Sequence, residues 1–197
     1  MKTYTQKKCI VITAPSGAGK TTIVQHLLNK YPRDLGFSIS ATTRRRRQNE
    51  IDGEDYYFIS LEKFKDKIAK GKFVEYEEVY PNQFYGTLRS EMERLWDKGQ
   101  TILFDIDVQG AQVIKKALGD HCLSIFVKPP NEETLTMRLQ NRKTESKSAL
   151  RVRLEKVKEE MSYENCFDKI LVNDILQDAL AEAEAMTEKF LGIVKEQ

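Results

Sequence analysis

Cysteine is scarce in this sequence, and its placement rules out two common uses of it. Cys9, Cys122 and Cys166 are the only three in 197 residues, with no CxxC pair and no histidine spacing to match a metal site. Two of them, Cys9 and Cys122, sit inside short apolar runs that read as strands. Buried free thiols in a reducing compartment fit that pattern better than a disulfide framework or a metal centre. No apolar run approaches the length needed for a helical membrane span. The polar start, Met1 to Lys8, leads into only a short apolar run, so no secretory signal is expected and the cytoplasm is the expected compartment. Internal repeats and low-complexity linkers are absent as well. Charge of one sign is lacking overall: 32 basic and 30 acidic side chains leave +2, too little to argue for nucleic-acid binding.

What is present is the make-up of an ordinary globular domain, 40% hydrophobic and 31% charged, long enough for one full core. Short apolar runs alternate with amphipathic stretches, the signature of a parallel sheet wrapped by crossover helices. Cys9-Ile10-Val11-Ile12-Thr13 is a continuous apolar run, as a strand buried on both faces requires. Ile23, Val24, Leu27, Leu28 and Tyr31 then recur at helical spacing until Pro32. Thr101 to Asp107 and Cys122 to Val127 read as further buried strands, and Lys169 to Val172 as a last short one. Helices are expected through Leu88, Met92, Leu95 and Trp96, over Val108 to Leu118, after the Asn131 cap, and from Ile175 to Val194. Two segments break the rhythm. Residues 40–86 are rich in Arg, Glu and Tyr with short strand-like pieces and one helix after Ser60, and residues 138–158 are dense in charge. Both read as insertions at the ligand-binding edge of the sheet.

Between the first strand and first helix lies Ala14-Pro15-Ser16-Gly17-Ala18-Gly19-Lys20-Thr21-Thr22. This is the phosphate-binding GxxxxGK[ST] pattern with alanine in place of its first glycine. Gly17 and Gly19 allow the turns that aim successive N–H groups at phosphate oxygens. The following helix adds its positive end, Lys20 can reach the β- and γ-phosphates, and Thr21 offers a hydroxyl to Mg²⁺. Ala14 is compatible with the pattern if its φ is negative. A glycine-rich turn before a helix is the bland alternative; the flanking strand and helix argue for the phosphate loop. Four consecutive arginines, Arg44 to Arg47, could by themselves be a solvated patch or a nucleic-acid contact. Asp105 and Asp107 end a buried strand, where open α/β sheets place ligands and where carboxylates need a cation or hydroxyls.

Several motifs in order carry a resemblance. Phe37-Ser38-Ile39-Ser40-Ala41-Thr42-Thr43-Arg44, then Arg47, Glu50 and Asp52-Gly53-Glu54-Asp55-Tyr56-Tyr57-Phe58, resemble the guanylate kinase family. Phe73-Val74-Glu75-Tyr76, Phe84-Tyr85-Gly86-Thr87, Asp105-Ile106-Asp107-Val108-Gln109-Gly110, Arg138-Leu139, Arg142, Arg153-Leu154 and Val172-Asn173-Asp174 continue it, over about residues 9 to 180. The resemblance implies an α/β fold: a P-loop NTPase three-layer α/β/α core with a parallel sheet, a small α/β GMP-binding insertion and a helical lid. Mapped here, the core takes residues 1–39, 87–130 and 160–197, the insertion 40–86 and the lid 131–159. The implied reaction is reversible transfer of phosphoryl from ATP to GMP with Mg²⁺, within purine nucleotide metabolism and GTP supply. Neither nucleic acid, membrane nor an obligate protein partner is expected.

The resemblance also implies roles. Lys20, Arg44, Arg142 and Arg153 would be catalytic. Residues Ala14 through Thr22, with Arg138 and Asn173, would bind ATP, Asn173 from the loop near adenine. Ser40, Arg44, Arg47, Glu50, Tyr56, Glu75, Tyr85, Thr87 and Asp107 would bind GMP. Arg44 and Arg47 suit its phosphate because guanidinium forks match phosphate oxygens, and Tyr56 and Tyr85 would add hydroxyls. Glu75 would read guanine, since one carboxylate can accept from both N1–H and the exocyclic amino group. Thr21 and Asp105, the latter through water, would face Mg²⁺, and Asp107 the ribose. Arg45 and Arg46 depart from the family pattern and are expected to be exposed. Lys143 replaces a frequent glycine at the lid hinge. The loop Glu77 to Gln83 is about one residue longer than usual, so placing Tyr85 and Thr87 requires the extra residue to be absorbed before Phe84. A P-loop kinase for another acceptor and a non-catalytic guanylate-kinase-like binding module are the rivals. Glu75 with Ser40 argues against AMP or CMP, and the retained Lys20 and Thr21 argue against the module.

Overall fold

The computed structural model describes residues 7–140 and 147–193. Its core is a five-stranded parallel sheet of β1 (Cys9–Thr13), β2 (Leu35–Phe37), β7 (Thr101–Asp105), β8 (Cys122–Lys128) and β9 (Lys169–Val172), in the order β2-β7-β1-β8-β9. Every residue of β1 is buried, and the alternation of its side chains explains its unbroken apolar run. Ile10 and Ile12 join one cluster with Ile23, Val24 and Leu27 of α1 (Lys20–Lys30) and Ala183 of α7 (Leu176–Leu191). Cys9 and Val11 join the opposite cluster, with Met92 and Leu95 of α3 (Arg89–Asp97) and Ala111 and Ile114 of α4 (Val108–Leu118). The central strands β1, β7 and β8 each feed both layers, and the three-layer α/β/α core follows. Cys9 and Cys122 are free and buried, paired in register across β1 and β8.

A second sheet, ordered β4-β3-β6-β5, comprises β3 (Ala41–Thr42), β4 (Tyr57–Phe58), β5 (Phe73–Tyr80) and β6 (Gln83–Leu88). Helix α2 (Leu61–Ala69) covers it through Phe64, whose ring stacks 4.3 Å from that of Phe73, with Phe84 and Leu88 alongside. Ser60 caps α2 by accepting from the Lys63 N–H, the ordinary use of serine at that position. Helices α5 (Glu132–Gln140) and α6 (Lys147–Ser162) form a third unit, packed through Leu135, Leu139 and Val157. Asn131 caps α5 by accepting from Thr134 N–H at 2.8 Å. Among the described residues, no helix is long and apolar enough to cross a membrane.

Five details differ from the sequence reading. The segment Glu77 to Gln83 is not a loop but the body of a hairpin, closed by Pro81 and Asn82, with Asn82 at φ 62°. Glu78 faces Phe84 whereas Tyr80 faces Gln83, so Val79 is an extra residue in a bulge, and the spacing is absorbed before Phe84 as required. The hairpin runs to Leu88, which puts the boundary at residues 86 and 87 inside a strand; likewise α6 runs past residue 159 to Ser162. Helix α7 stops at Leu191 because Gly192, at φ 77°, takes the left-handed cap and donates to the Glu188 carbonyl. The three-residue β2 is too short to leave a pattern.

Candidate active site

Parallel pairing brings Ile12 of β1 level with Asp105 of β7. The loop after β1 and the carboxylates after β7 therefore share one edge of the sheet, beside the strand where chain direction diverges to β7 and β8. A cleft of about 490 Å³ opens there, lined on one side by Ala14 to Gly17 and Gly19 to Thr22. Ala18, fully buried, supports the loop from behind. Gly17 and Gly19 lie at φ 92° and 93°, which only glycine adopts without strain. Ala14 is outside that region, since Asn82 is the single non-glycine with positive φ among the described residues. Helix α1 has neither a side-chain cap nor an acidic residue in its first turn. Its leading N–H groups and positive end thus face the cleft unclaimed.

Lys20 crosses the cleft to an ion pair with Asp105 and donates to the Ile106 carbonyl at 3.1 Å. Asp107 is spent differently: its Oδ1 caps α4 by accepting from Gln109 N–H at 2.8 Å and Gly110 N–H at 2.9 Å. Thr21 is exposed at the mouth. Oxygen donors on Thr21 and Asp105 suit Mg²⁺, and no cluster of three or more acidic, His or Cys side chains exists among the described residues to cage an ion alone. That donor set fits a cation carried in largely by substrate phosphates.

At the far side of the cleft lie Ser40, Tyr56, Glu75 and Tyr85, with Asp107 between the two ends. Arg44 forms a bidentate pair with Glu50 at 2.9 and 2.7 Å and lies over the rings of Tyr56 (5.2 Å) and Phe58 (5.6 Å). The rings of Tyr56 and Tyr85 meet edge to face at 5.9 Å. Burial raises the Tyr56 hydroxyl above its usual range, so it stays a donor at neutral pH. Glu75 is 8% exposed and lies opposite Thr87 in the β5–β6 register. Burial pushes its carboxyl up to about 7, nearby Asp107 adds to this, and the Thr87 hydroxyl and amide partly offset it. The approach depends on Gly110: a Cβ there would stand 2.9 Å from Glu75 Oε2. Thr87 Oγ1, though close to Glu75, makes no full hydrogen bond, and Ser38 Oγ on the cleft wall has none either. Buried hydroxyls without partners are costly, at about 1–3 kcal/mol each; at Ser38, which lines the cleft, an entering polar ligand would relieve that cost.

The guanylate kinase family model matches residues 6–190, and each signature above falls within it. The chain belongs to the guanylate kinase family. A guanylate kinase of Salinibacter ruber is 48% identical over 186 residues, covering 94% of this chain and 98% of that one. One of Porphyromonas gingivalis is 45% identical over 185 residues, covering 94% and 98%. The crystal structure of guanylate kinase from Anaplasma phagocytophilum shares the fold with a TM-score of 0.69 at 28% identity, covering 92% of this chain and 85% of that one.

Within this family member, several positions depart from the sequence expectation; Arg44 and Thr87, like Arg47 and Glu50, do not line the cleft. Arg47 points to solvent at 77% side-chain exposure; its guanidinium comes only to 4.0 Å from Glu50, and it does not line the cleft. Glu50 is also off the wall. Its carboxylate, held down at about 2 chiefly by Arg44, takes both Arg44 nitrogens and the Arg47 N–H, so it positions Arg44. Asn173 places its side chain on the phosphate loop, donating to the Ala18 carbonyl. Arg45 and Arg46 are exposed as expected. Arg138 donates to the Asn173 carbonyl at 3.0 Å. Arg142, Lys143 and the side chain of Arg153 lie outside the described residues.

Glu50→Gln removes half of the bidentate acceptor set. It is expected to raise KM for GMP about tenfold with KM for ATP unchanged, which steady-state kinetics with each substrate varied will check.

The sequence reading missed Phe37, Asp55, Val79, Ile106 and Glu160 on the cleft wall. It also missed Glu91, 2% exposed, which accepts from Ile39 N–H, the Tyr57 hydroxyl and Arg94 and so ties both sheets together. Glu91 follows Leu88 by three residues and precedes Leu95 by four, so an acid on the buried stripe was the available signal.

Proposed function

We propose that this chain transfers the γ-phosphoryl group of ATP to the phosphate of GMP, giving ADP and GDP. The observation that carries this is the shared cleft: a phosphate loop at one end and, at the other, the buried Glu75 carboxylate with Ser40, Tyr56 and Tyr85, Arg44 lying over the Tyr56 ring. Residues Ala14 to Thr22 hold the ATP phosphates, with Lys20 turning from Asp105 to the transferring group. Arg44, Tyr56 and Tyr85 hold the GMP phosphate in line, where positioning supplies much of the rate. Ionised Glu75 accepts from N1–H and the amino group of guanine, with Ser40 and Thr87 completing the base contacts and Asp107 facing the ribose. Arg138, Arg142 and Arg153 of the lid offset charge over the ATP phosphates and, on closure, exclude water as a competing acceptor. Mg²⁺ would be held by Thr21 and, through water, Asp105, and would supply positive charge to offset that of the phosphates. The reaction is reversible and supplies GDP for GTP synthesis in the cytoplasm.

Incubation with ATP, GMP and Mg²⁺, followed by chromatography of the products, tests the transfer itself. ADP and GDP appear in equal amounts on this reading. ADP without GDP would mean that water is the acceptor, and the reading would fail.

A further inference from the structure

Asn173 is 5% exposed and anchored by three of its groups. Its N–H donates to the Lys128 carbonyl at 2.8 Å, prolonging the β8–β9 ladder. Its carbonyl accepts from Arg138 of α5 at 3.0 Å, and the neighbouring Asp174 carbonyl lies 3.5 Å from the same guanidinium. Its side-chain nitrogen donates to the Ala18 carbonyl at 2.7 Å, across 155 residues of sequence. A carbonyl oxygen only accepts, so the amide must present its NH₂ here. The same nitrogen lies over Gly19, where a Cβ would come within 2.2 Å of it.

The consequence follows from peptide geometry. In a planar trans peptide the C=O and N–H point in opposite directions. Holding the Ala18 carbonyl back toward Asn173 therefore turns the Gly19 N–H the other way, away from Asn173, and Gly19 lines the cleft. Glycine at 19 makes that peptide cheap to flip, because φ of either sign is open to it. A flipped peptide would present an oxygen, not a hydrogen, to the phosphates. Helix α5 leans on the same loop: a Cβ on Gly17 would meet Leu139 at 2.9 Å and Leu135 at 3.2 Å.

We propose that Asn173 is a positioning residue that locks the Ala18–Gly19 peptide in its phosphate-binding orientation. Arg138, gripping the Asn173 carbonyl, joins the base of the lid to that lock. The inference rests on the phosphate-loop reading above and differs from a contact between Asn173 and the adenine base.

The test titrates Mg²⁺-ATP, Mg²⁺-tripolyphosphate and GMP onto the wild type, Asn173→Ala and Asn173→Leu by calorimetry, with thermal melting of each protein. Asn173→Leu keeps the bulk over Gly19 and removes the donor, which separates the hydrogen bond from packing. Expected in both variants is a loss of about tenfold in affinity for ATP and for tripolyphosphate alike, with GMP affinity unchanged. Weakened ATP with unchanged tripolyphosphate would overturn the proposal in favour of a base contact. Wild-type affinity in Asn173→Leu would overturn it in favour of packing. A wild type that binds no tripolyphosphate would instead remove the phosphate-loop reading itself.

Discussion

Lys20→Ala is expected to lower kcat for phosphoryl transfer by about 10³-fold, the scale at which loss of one preorganised charged donor acts on a developing charge. The lysine links the phosphate loop to the end of β7, through Asp105 and the Ile106 carbonyl. Removing it leaves Asp105 without its cation. That carboxylate is 21% exposed and can be solvated, so the melting temperature should move little. The variant should therefore melt like the wild type and still bind GMP, since Lys20 pairs with Asp105 and Ile106 and not with Tyr56, Glu75 or Tyr85. Turnover within threefold of wild type, measured on folded protein, would remove Lys20 from the chemistry.

Glu75→Gln is expected to cut kcat/KM for GMP by about 10³-fold, because a site built to hydrogen-bond a group rejects mismatched partners at that scale or beyond. An amide offers one acceptor and one donor where guanine presents two donors, so a buried N–H is set against N–H. ATP affinity should not change. Stability should move the other way. The folded pKa of Glu75, about 7, lies above its unfolded value of 4.5, so between these pH values the unfolded chain binds fewer protons. Stability then falls as pH rises through that window, and the penalty is complete above pH 7. Glu75→Gln should accordingly melt higher than wild type at pH 8, with the advantage fading below about pH 5. Since only the carboxylate accepts twice, wild-type kcat/KM for GMP should rise with pH through about 7. A variant with equal loss of ATP and GMP binding, and no gain in melting temperature, would make Glu75 a structural residue.

The sequence made the phosphate loop legible because its physics is local: a buried strand, two glycines and a helix start within a dozen residues. Buried strands were legible for the same reason, each carrying residues for both helical layers. The β5–β6 hairpin was not, since Pro81 and Asn82 signal a turn but not how far the strands run up to it, and the bulge at Val79 hides the register. Helix α6 was obscured by its own chemistry. Among its described side chains, Val157 and Met161 form a narrow stripe packed against α5, and charge dominates its pattern. Glu75 could be named from resemblance, yet its burial against Gly110 depends on α4 folding onto β5. Glu50 and Asn173 show the sharpest limit. Both were assigned to ligands, and in the structure both hold other parts of the chain, Glu50 the Arg44 guanidinium six positions away and Asn173 the Ala18 carbonyl 155 away. A sequence shows which polar residues matter more readily than it shows what they hold.

The acceptor itself is the most direct point of attack on this account. Purified protein with ATP and Mg²⁺ would be offered GMP, dGMP, AMP, CMP and UMP in turn while ADP formation is followed. The account predicts rapid ADP formation with GMP and little or none with AMP, CMP or UMP. Equal rates with AMP and GMP, or no ADP with any acceptor from folded protein that binds ATP, would contradict it.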